Sequence, residues 1–380
     1  MRKALISGYS IFLWLIDTIY LLAHKPSSDK APLVLLVRLD NIGDFILWLS
    51  SVKKIQKKYK DKVLVLVANK SFAELARDTG YFDHVVSVDV HKFILNIFYR
   101  WMTLTKITKL NVEVAIQPNY SRSFLAADSF IRISNATDRI GSTSDLNNIT
   151  AWQRVVSNRW YTHLIYASSK PLMELERDAE FLLGLGVENK GVHVAQLPVL
   201  TKLTEKLNID GNYFIIFPGA SWSGRKWPNK SFAEVGKYIS EQYGYKMVIC
   251  GVQSEYQDAE SIISHSLVSD VINLVGKTTL SQFCELVRGA KLLIGNETSA
   301  IHIAAATNTQ SVCLLGGGHF SRFAPYSNVV MGMKPIVVFS KMECYNCNWK
   351  CIQTRNANSP VLCINNISVQ MVIEKSGLCT

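Results

Sequence analysis

The 380-residue chain is predicted to be an α/β protein of two successive doubly wound units, each a parallel sheet with crossover helices. Three observations predict this. The length is about twice what one hydrophobic core needs, which favours two domains. Short apolar runs such as LVLLVR (33–38), VLVLVA (63–68), YFIIF (213–217) and KMVIC (246–250) have the continuous hydrophobicity of strands buried on both faces. Stretches of helical period separate them, and this alternation stops after residue 116 and restarts at 213, as two sheets in succession require.

The elements follow in order. Residues 4–23 (ALISGYSIFLWLIDTIYLLA) are long enough to span a bilayer, with Asp17 as the one charge. On a helix, Ser7, Ser10, Asp17 and Thr18 share one narrow face. A charge at the centre of a spanning helix costs about 2.5–3.5 kcal/mol on insertion scales. Two readings are left: an interfacial helix with Arg2 and Lys3 at the headgroups, or a helix packed on the protein itself. Lys25–Lys30 reads as a linker. A strand at 33–38, a turn at Asp40–Asp44 and a helix from Phe45 to Lys60 come next. A strand at 63–68 and a helix from Ser71 to Thr79 follow. Further strands are expected at Val85–Val88 and Val112–Ile116, with 91–109 helical between them.

Residues 142–200 show only a helix at Glu174–Gly184 and a connector at Leu197–Thr204. In the second unit, strands at 213–217, 246–250, Val271–Leu274, 291–294 and 311–315 alternate with helices at 231–242, 255–266, 280–289 and 299–306. The predicted domains are an apolar helix and linker (1–30), a first Rossmann-like domain (31–200), a second (201–340) and a Cys-rich tail with a C-terminal helix (341–380). The two domains are expected to face each other, with ligands at the carboxyl ends of the strands.

The chain carries 41 Lys and Arg against 30 Asp and Glu, a net charge of +11. That favours an anionic partner: a phosphorylated substrate, an acidic membrane surface or nucleic acid. Nucleic-acid binding calls for clustered cations with interleaved aromatics. The only run is Lys53, Lys54, Lys57, Lys58, Lys60 and Lys62, whose spacing reads as the solvated face of one helix. Cys250, Cys284 and Cys313 stand alone in apolar or helical contexts, as buried thiols do. No small-residue cleavage site closes the N-terminal apolar stretch, so no signal peptide is expected and a reducing cytoplasm is.

Three turns just past predicted strands carry the chemistry. In Arg38-Leu39-Asp40-Asn41-Ile42-Gly43-Asp44, Gly43 permits close backbone approach. Asp44 sits near a helix N-terminus, where it is either a proton acceptor or only a capping residue. The segment from Phe217 to Pro228 has small residues, the hydroxyl of Ser221 and two adjacent cations, Arg225 and Lys226. It is either a pyrophosphate cradle or a surface loop. Ile294–His302 places Glu297, Thr298 and Ser299 between strand and helix, where successive amides bind phosphate. His302, one turn in, reads as a ligand contact or as a satisfied structural histidine.

These three segments, in this order, resemble the signatures of glycosyltransferase family 9, the heptosyltransferases of lipopolysaccharide core assembly, over about residues 33–330. The resemblance implies a GT-B fold, an ADP-heptose or similar ADP-sugar donor, and inverting transfer with no cofactor or metal required for catalysis. Asp44 matches the family's general base. Arg225, with Lys226 beside it, matches the cation on the donor phosphate, Glu255 an acidic contact to the nucleoside, and Thr278 a border of the base. Ser221, Glu297, Thr298, Ser299 and His302 fall in the donor-binding turns. Arg38 and Arg139 (in Asp138-Arg139-Ile140-Gly141) match the acceptor side. The family usually has Asp where this chain has Glu297 and Gly where it has Ser299, which bears on the sugar.

The implied partners are the nucleotide sugar and an anionic glycolipid or core oligosaccharide acceptor. The implied place is the inner face of the inner membrane, as a peripheral protein. Cys344, Cys347, Cys351 and Cys363 have spacing that suits a tetrahedral structural metal site, with reduced structural cysteines as the alternative. Two other functions compete with the transferase: a basic nucleic-acid-binding protein, and a non-catalytic binding protein on the same fold. Asp44, which the last would have been free to lose, is present.

Overall fold

The computed structural model describes residues 2–23, 32–188, 190–201, 209–353, 356 and 359–376, with the side chains of 2–7 and 23 excepted. The linker expected at Lys25–Lys30 and the end of the connector expected at Leu197–Thr204 lie outside the described residues.

The chain opens with α1 (Arg2–Ala23), then runs through β1 (Leu33–Arg38), α2 (Ile42–Lys58), β2 (Val63–Asn69), α3 (Ala73–Asp78) and β3 (His84–Val88). It continues with α4 (Val90–Leu95), α5 (Ile97–Thr108), β4 (Val112–Gln117), α6 (Ala127–Ile133), β5 (Asp138–Ser142), α7 (Ala151–Asn158), β6 (His163–Ile165) and α8 (Glu174–Gly184). The second half has β7 (Val192–His193), β8 (Tyr213–Phe217), α9 (Asn229–Tyr243), β9 (Lys246–Ile249), α10 (Tyr256–Ser266), β10 (Val271–Asn273), α11 (Leu280–Gly289) and β11 (Leu292–Asn296). It ends with α12 (Ser299–Ala306), β12 (Ser311–Leu314), β13 (Val330–Met331), β14 (Ile336–Val338), α13 (Leu362–Asn365) and α14 (Val369–Lys375).

Two six-stranded sheets result, in the orders β3-β2-β1-β4-β5-β6 and β10-β9-β8-β11-β12-β14. Every pairing in both is parallel. This is the doubly wound order repeated, the α/β arrangement of GT-B proteins. Its consequence is positional. The strand order reverses between β1 and β4 and between β8 and β11, and ligands of such sheets bind beyond the carboxyl ends at those points. The turns at 39–44 and 218–228, and the one at 297–298, are placed there by topology alone.

The chain divides into two compact units, one of 1–45, 51–170 and 177–190 and the other of 46–50, 171–176 and 191–380. The first core gathers Leu35, Val37, Val65, Val67, Ala115 and Phe130. The second gathers Phe214, Ile216, Met247, Ile249, Ile294 and Val312. The Cys-rich tail joins the second core through Val361, Ile364 and Val372. Hydrogen bonds fasten it there too: Val361 N donates to Gly224 O at 2.9 Å and the indole Nε1 of Trp227 to Ile367 O at 2.8 Å.

The helix expected over 91–109 is two helices. Asn96 ends α4 and caps α5, its side chain accepting from Tyr99 N at 2.9 Å. An amide side chain that competes for local backbone donors breaks a helix in this way. The second sheet does not close at 311–315: β14 adds beside β12.

In α1 the polar stripe faces inward. Asp17 is buried and forms a two-pronged pair with Arg100 of α5, Nε to Oδ1 at 2.8 Å and Nη2 to Oδ2 at 2.5 Å. Ser10 accepts from Gln153 at 3.1 Å, and Thr18 accepts from Arg132 at 2.7 Å. The helix packs on the protein through this side. Among the described residues no helix is long and apolar enough to cross a membrane.

Candidate functional site

In the first unit, Asn41 caps α2 and Asp44 is its third residue. Asp44 Oδ2 accepts from Asn41 N at 3.3 Å, and its carboxylate has no other partner among the described residues. Capping and proton acceptance are therefore compatible: one long bond orients the group and leaves one oxygen unengaged. Arg38, at the end of β1, is fully buried. Its guanidinium donates to Asp40 Oδ1 at 3.1 Å and to the Asp44 carbonyl at 3.0 Å, and pairs with Asp178 at 3.6 Å. Arg38 thus pins the turn that carries Asp44. Arg139 is also spent on the protein. It donates to the carbonyls of Trp160, at 2.6 Å, and of Ala136, at the start of β5, away from the carboxyl ends.

A cavity of about 520 Å³ opens beside the Asp40–Asn41 turn. Asn119, Ser121, Ser123, Asn147 and Asn148 give it amide and hydroxyl groups, and Leu39, Phe124 and Ile149 give it apolar walls. Ser10 of α1 and Ile94 of α4 line it as well. Sequence reasoning missed it, because its lining comes from loops after β4 and β5 with no periodic signal.

In the second unit, Arg225 is the centre of the site. It donates to Glu297 O at 2.6 Å, to Glu297 Oε2 at 3.0 Å and to Ser221 Oγ at 3.3 Å. Its guanidinium lies 4.7 Å from the ring centroid of Trp349. Ser221, Arg225 and Glu297 are therefore brought together at the carboxyl ends of β8 and β11. Thr298 caps α12 by position, without a side-chain bond to the helix, and its Oγ1 is buried with no hydrogen-bond partner. Ser299 begins α12. A helix N-terminus with an unpaired hydroxyl and a stacked guanidinium is suited to an anion.

Burial raises the Glu297 carboxyl to about 7, with Arg225 opposing the shift. A carboxyl whose folded pKa lies above its unfolded value stabilises the fold below the unfolded pKa and loses that contribution as pH rises through the folded one. The wild type is therefore expected to lose melting temperature relative to Glu297→Gln between about pH 5 and about pH 8. Parallel melting curves across that range would contradict the shift.

Glu255 is buried after β9, its Oε2 accepting from Val252 N at 2.9 Å. Burial raises its pKa and Lys226 opposes the rise. A Cβ at Gly219 or Gly251 would collide with this carboxylate, which explains both glycines. Thr278 is partly exposed in the loop between β10 and α11. Lys226 is drawn off to Asp258 at 2.7 Å, apart from Arg225. His302 is buried, its Nδ1 2.9 Å from Tyr326 Oη, and burial lowers its pKa to about 4, so it is neutral. It faces Tyr326 from inside α12.

Two further residues shape the site. Asn296, buried at the end of β11, donates to Pro218 O at 2.7 Å and accepts from Trp227 N at 2.9 Å, tying the 218–228 loop to the sheet. A polar residue ending an apolar strand was its only signal. Trp349 comes from the tail and had none. Cys344, Cys347, Cys351 and Cys363 line one small pocket with Trp349. Among the described residues, no three of His, Cys, Asp or Glu group as metal ligands. Cys250, Cys284 and Cys313 are buried free thiols.

The model of glycosyltransferase family 9 (heptosyltransferase) matches residues 168–350. The chain is 22% identical over 296 residues to lipopolysaccharide heptosyltransferase 3 of Escherichia coli, covering 75% of this chain and 77% of the relative. It is 26% identical over 130 residues to lipopolysaccharide heptosyltransferase 2 of E. coli K12, covering 33% of this chain and 37% of that one. Among solved structures, E. coli ADP-heptose lps heptosyltransferase II superposes with a TM-score of 0.64 at 16% identity, over 90% of this chain and 97% of that one. E. coli heptosyltransferase WaaC with ADP-2-deoxy-2-fluoro heptose gives 0.63 at 17%, over 83% and 97%. The iron-containing dodecameric glycosyltransferase TibC of enterotoxigenic E. coli gives 0.53 at 15%, over 92% and 76%.

Proposed function

The chain belongs to glycosyltransferase family 9 by its residues 168–350, and on that premise we propose that it transfers a heptose-like sugar from an ADP-linked donor. The acceptor in this reading is a lipopolysaccharide core or related anionic glycan, worked on at the inner face of the inner membrane. The observation that carries it is the anion cradle of Arg225, Thr298 and the α12 N-terminus at the second sheet's switch point.

In the proposed reaction, Asp44 takes the proton of the acceptor hydroxyl as its oxygen attacks the anomeric carbon. The bond from that carbon to the ADP phosphate oxygen breaks, and configuration inverts. Arg225 and the α12 amides offset the charge that builds on the departing diphosphate, and the reaction requires no metal. Ser221, Thr298 and Ser299 are assigned to the donor phosphates and sugar, and Glu255 and Thr278 to the nucleoside. The cavity beside Asp40–Asn41 is assigned to the acceptor. Its amides and hydroxyls suit sugar hydroxyls, and its apolar walls suit the flat faces of rings.

A thermal-shift screen of ADP-, UDP-, GDP- and CMP-sugars tests the donor. Stabilisation by ADP-sugars alone is expected, and none by any nucleotide would return the chain to the non-catalytic reading. Glu297 and Ser299 favour one second reading, a different nucleotide sugar in the same cradle, which the UDP, GDP and CMP arms would reveal.

A further inference from the structure

We infer that the outward faces of α1 and of the α4–α5 hairpin form one lipid-binding surface that lays the first unit on an anionic bilayer. The first observation is that α1 buries a mixed face, Leu13 and Tyr20 beside its polar residues, and leaves an apolar face outside. Its polar residues Ser10, Asp17 and Thr18 are bonded into the protein, while Ile11, Phe12, Leu15, Ile19 and Leu22 are exposed, Leu22 at 84%. A helix of a water-bathed domain turns its apolar residues to the core and its polar ones to water; here the polar residues go inward with Leu13 and Tyr20, and the outer face is apolar. The buried Asp17–Arg100 pair fixes that orientation, so the apolar face cannot rotate inward without breaking it.

The second observation is that another element continues the same surface. Leu95, Ile97, Phe98, Trp101 and Met102 are exposed on α4 and α5, Phe98 at 73%. The two parts adjoin. Tyr20 of α1 meets Trp101 edge-on at 5.9 Å and bonds Thr105 and Thr108 of α5, each at 3.0 Å. Contiguous apolar surface on this scale marks an interaction site.

Charge selects the occupant. His91, Lys92, Lys106 and Lys109 are exposed on and just after the same helices. The sequences of α1, α4 and α5 contain one carboxylate, the buried Asp17, and the Asp89 carboxylate that caps α4 is paired with Lys70 at 3.7 Å. A second copy of this face would bring like charges together. An anionic lipid surface would meet them with opposite charge, while aliphatic and aromatic side chains enter the acyl boundary. Ser10 of α1 and Ile94 of α4 also line the 520 Å³ cavity beside the Asp40–Asn41 turn. If the transferase reading holds, an acceptor glycolipid held in that bilayer has a short route to the Asp40–Asn41 turn; the lipid surface itself does not depend on that reading.

The test is co-sedimentation of the full chain with vesicles of phosphatidylcholine alone and with roughly 30% phosphatidylglycerol. The wild type is expected to pellet with the anionic vesicles, less with neutral ones, and less as salt rises. Phe98→Ser with Trp101→Ser, and separately Ile19→Ser with Leu22→Ser, are expected to weaken pelleting on the order of tenfold or more. These side chains are exposed, so melting temperatures should hold. Wild type that stays in the supernatant with both vesicles, or pelleting unchanged by both pairs, overturns the proposal. A salt-stable dimer dissolved by the same substitutions without lipid binding overturns it in favour of self-association. Stabilisation by ADP, measured on every variant, is expected throughout. Its absence would count against the transferase reading alone.

Discussion

Asp44→Asn is expected to lower the turnover number at saturating donor by about 10²–10⁴-fold, the range for loss of a general base, with ADP affinity little changed. The variant is a fair test because the amide is nearly isosteric. Its side-chain oxygen can accept the capping bond that Asp44 Oδ2 now accepts from Asn41 N. The Arg38 bond goes to the Asp44 main-chain carbonyl, which the substitution leaves in place. What the amide cannot do is take a proton from an acceptor hydroxyl at neutral pH. The loss should therefore fall on the turnover number and on its ratio to KM alike, as removal of an interaction made only in the transition state does. Donor affinity should not move, since the phosphate-binding groups assigned here are Ser221, Arg225, Thr298 and Ser299. Near-normal turnover in Asp44→Asn would remove Asp44 from the reaction and leave it as a helix cap.

Much of this was legible in the residues because the two sheets have the strongest one-dimensional signal a protein can carry. Strands such as Leu33–Arg38 are buried at every position, so their sequence is apolar at every position but the last, and the turn that follows must hold the polar residues. The switch-point turns were visible for that reason. The remainder was less visible on three physical grounds. Strands β5 and β6 are short, and β5 begins Asp138-Arg139, so they lack apolar runs. Side-chain direction is not encoded by position: Arg38, Lys226 and His302 stand in the expected turns but point at Asp178, Asp258 and Tyr326. Trp349 reaches Arg225 from well over a hundred positions along the chain, a contact no local pattern announces. α1 was half legible. Its polar stripe was readable, and the decision between an interfacial and a protein-packed helix turned out to be a false choice, because one face packs while the other is bare.

That division of α1 rests on one ion pair, and Asp17→Ala is expected to cost about 3–5 kcal/mol, the usual loss when one partner of a buried pair is removed. The Arg100 guanidinium would keep its bonds to Leu125 O at 2.9 Å and Ser129 Oγ at 2.7 Å and its place 4.3 Å from the Phe93 ring centroid. It would lose the only carboxylate bonded to it among the described residues and stay buried. The release is local: α1 lifts from α5 and α6, and protease cleaves within it before the rest of the unit opens. Replacing both partners separates this account from a simple packing defect. Asp17→Leu with Arg100→Met buries no charge, and an apolar pair of similar volume is often neutral or better. The double variant should therefore recover most of the melting temperature lost in Asp17→Ala and restore protection of α1. Should it melt as low as the single variant, the stabilisation would lie in the particular bonds Arg100 makes and not in charge compensation. Should Asp17→Ala melt within a degree or two of wild type, the pair would not hold α1 in place, and the apolar outer face of the helix would lose its structural cause.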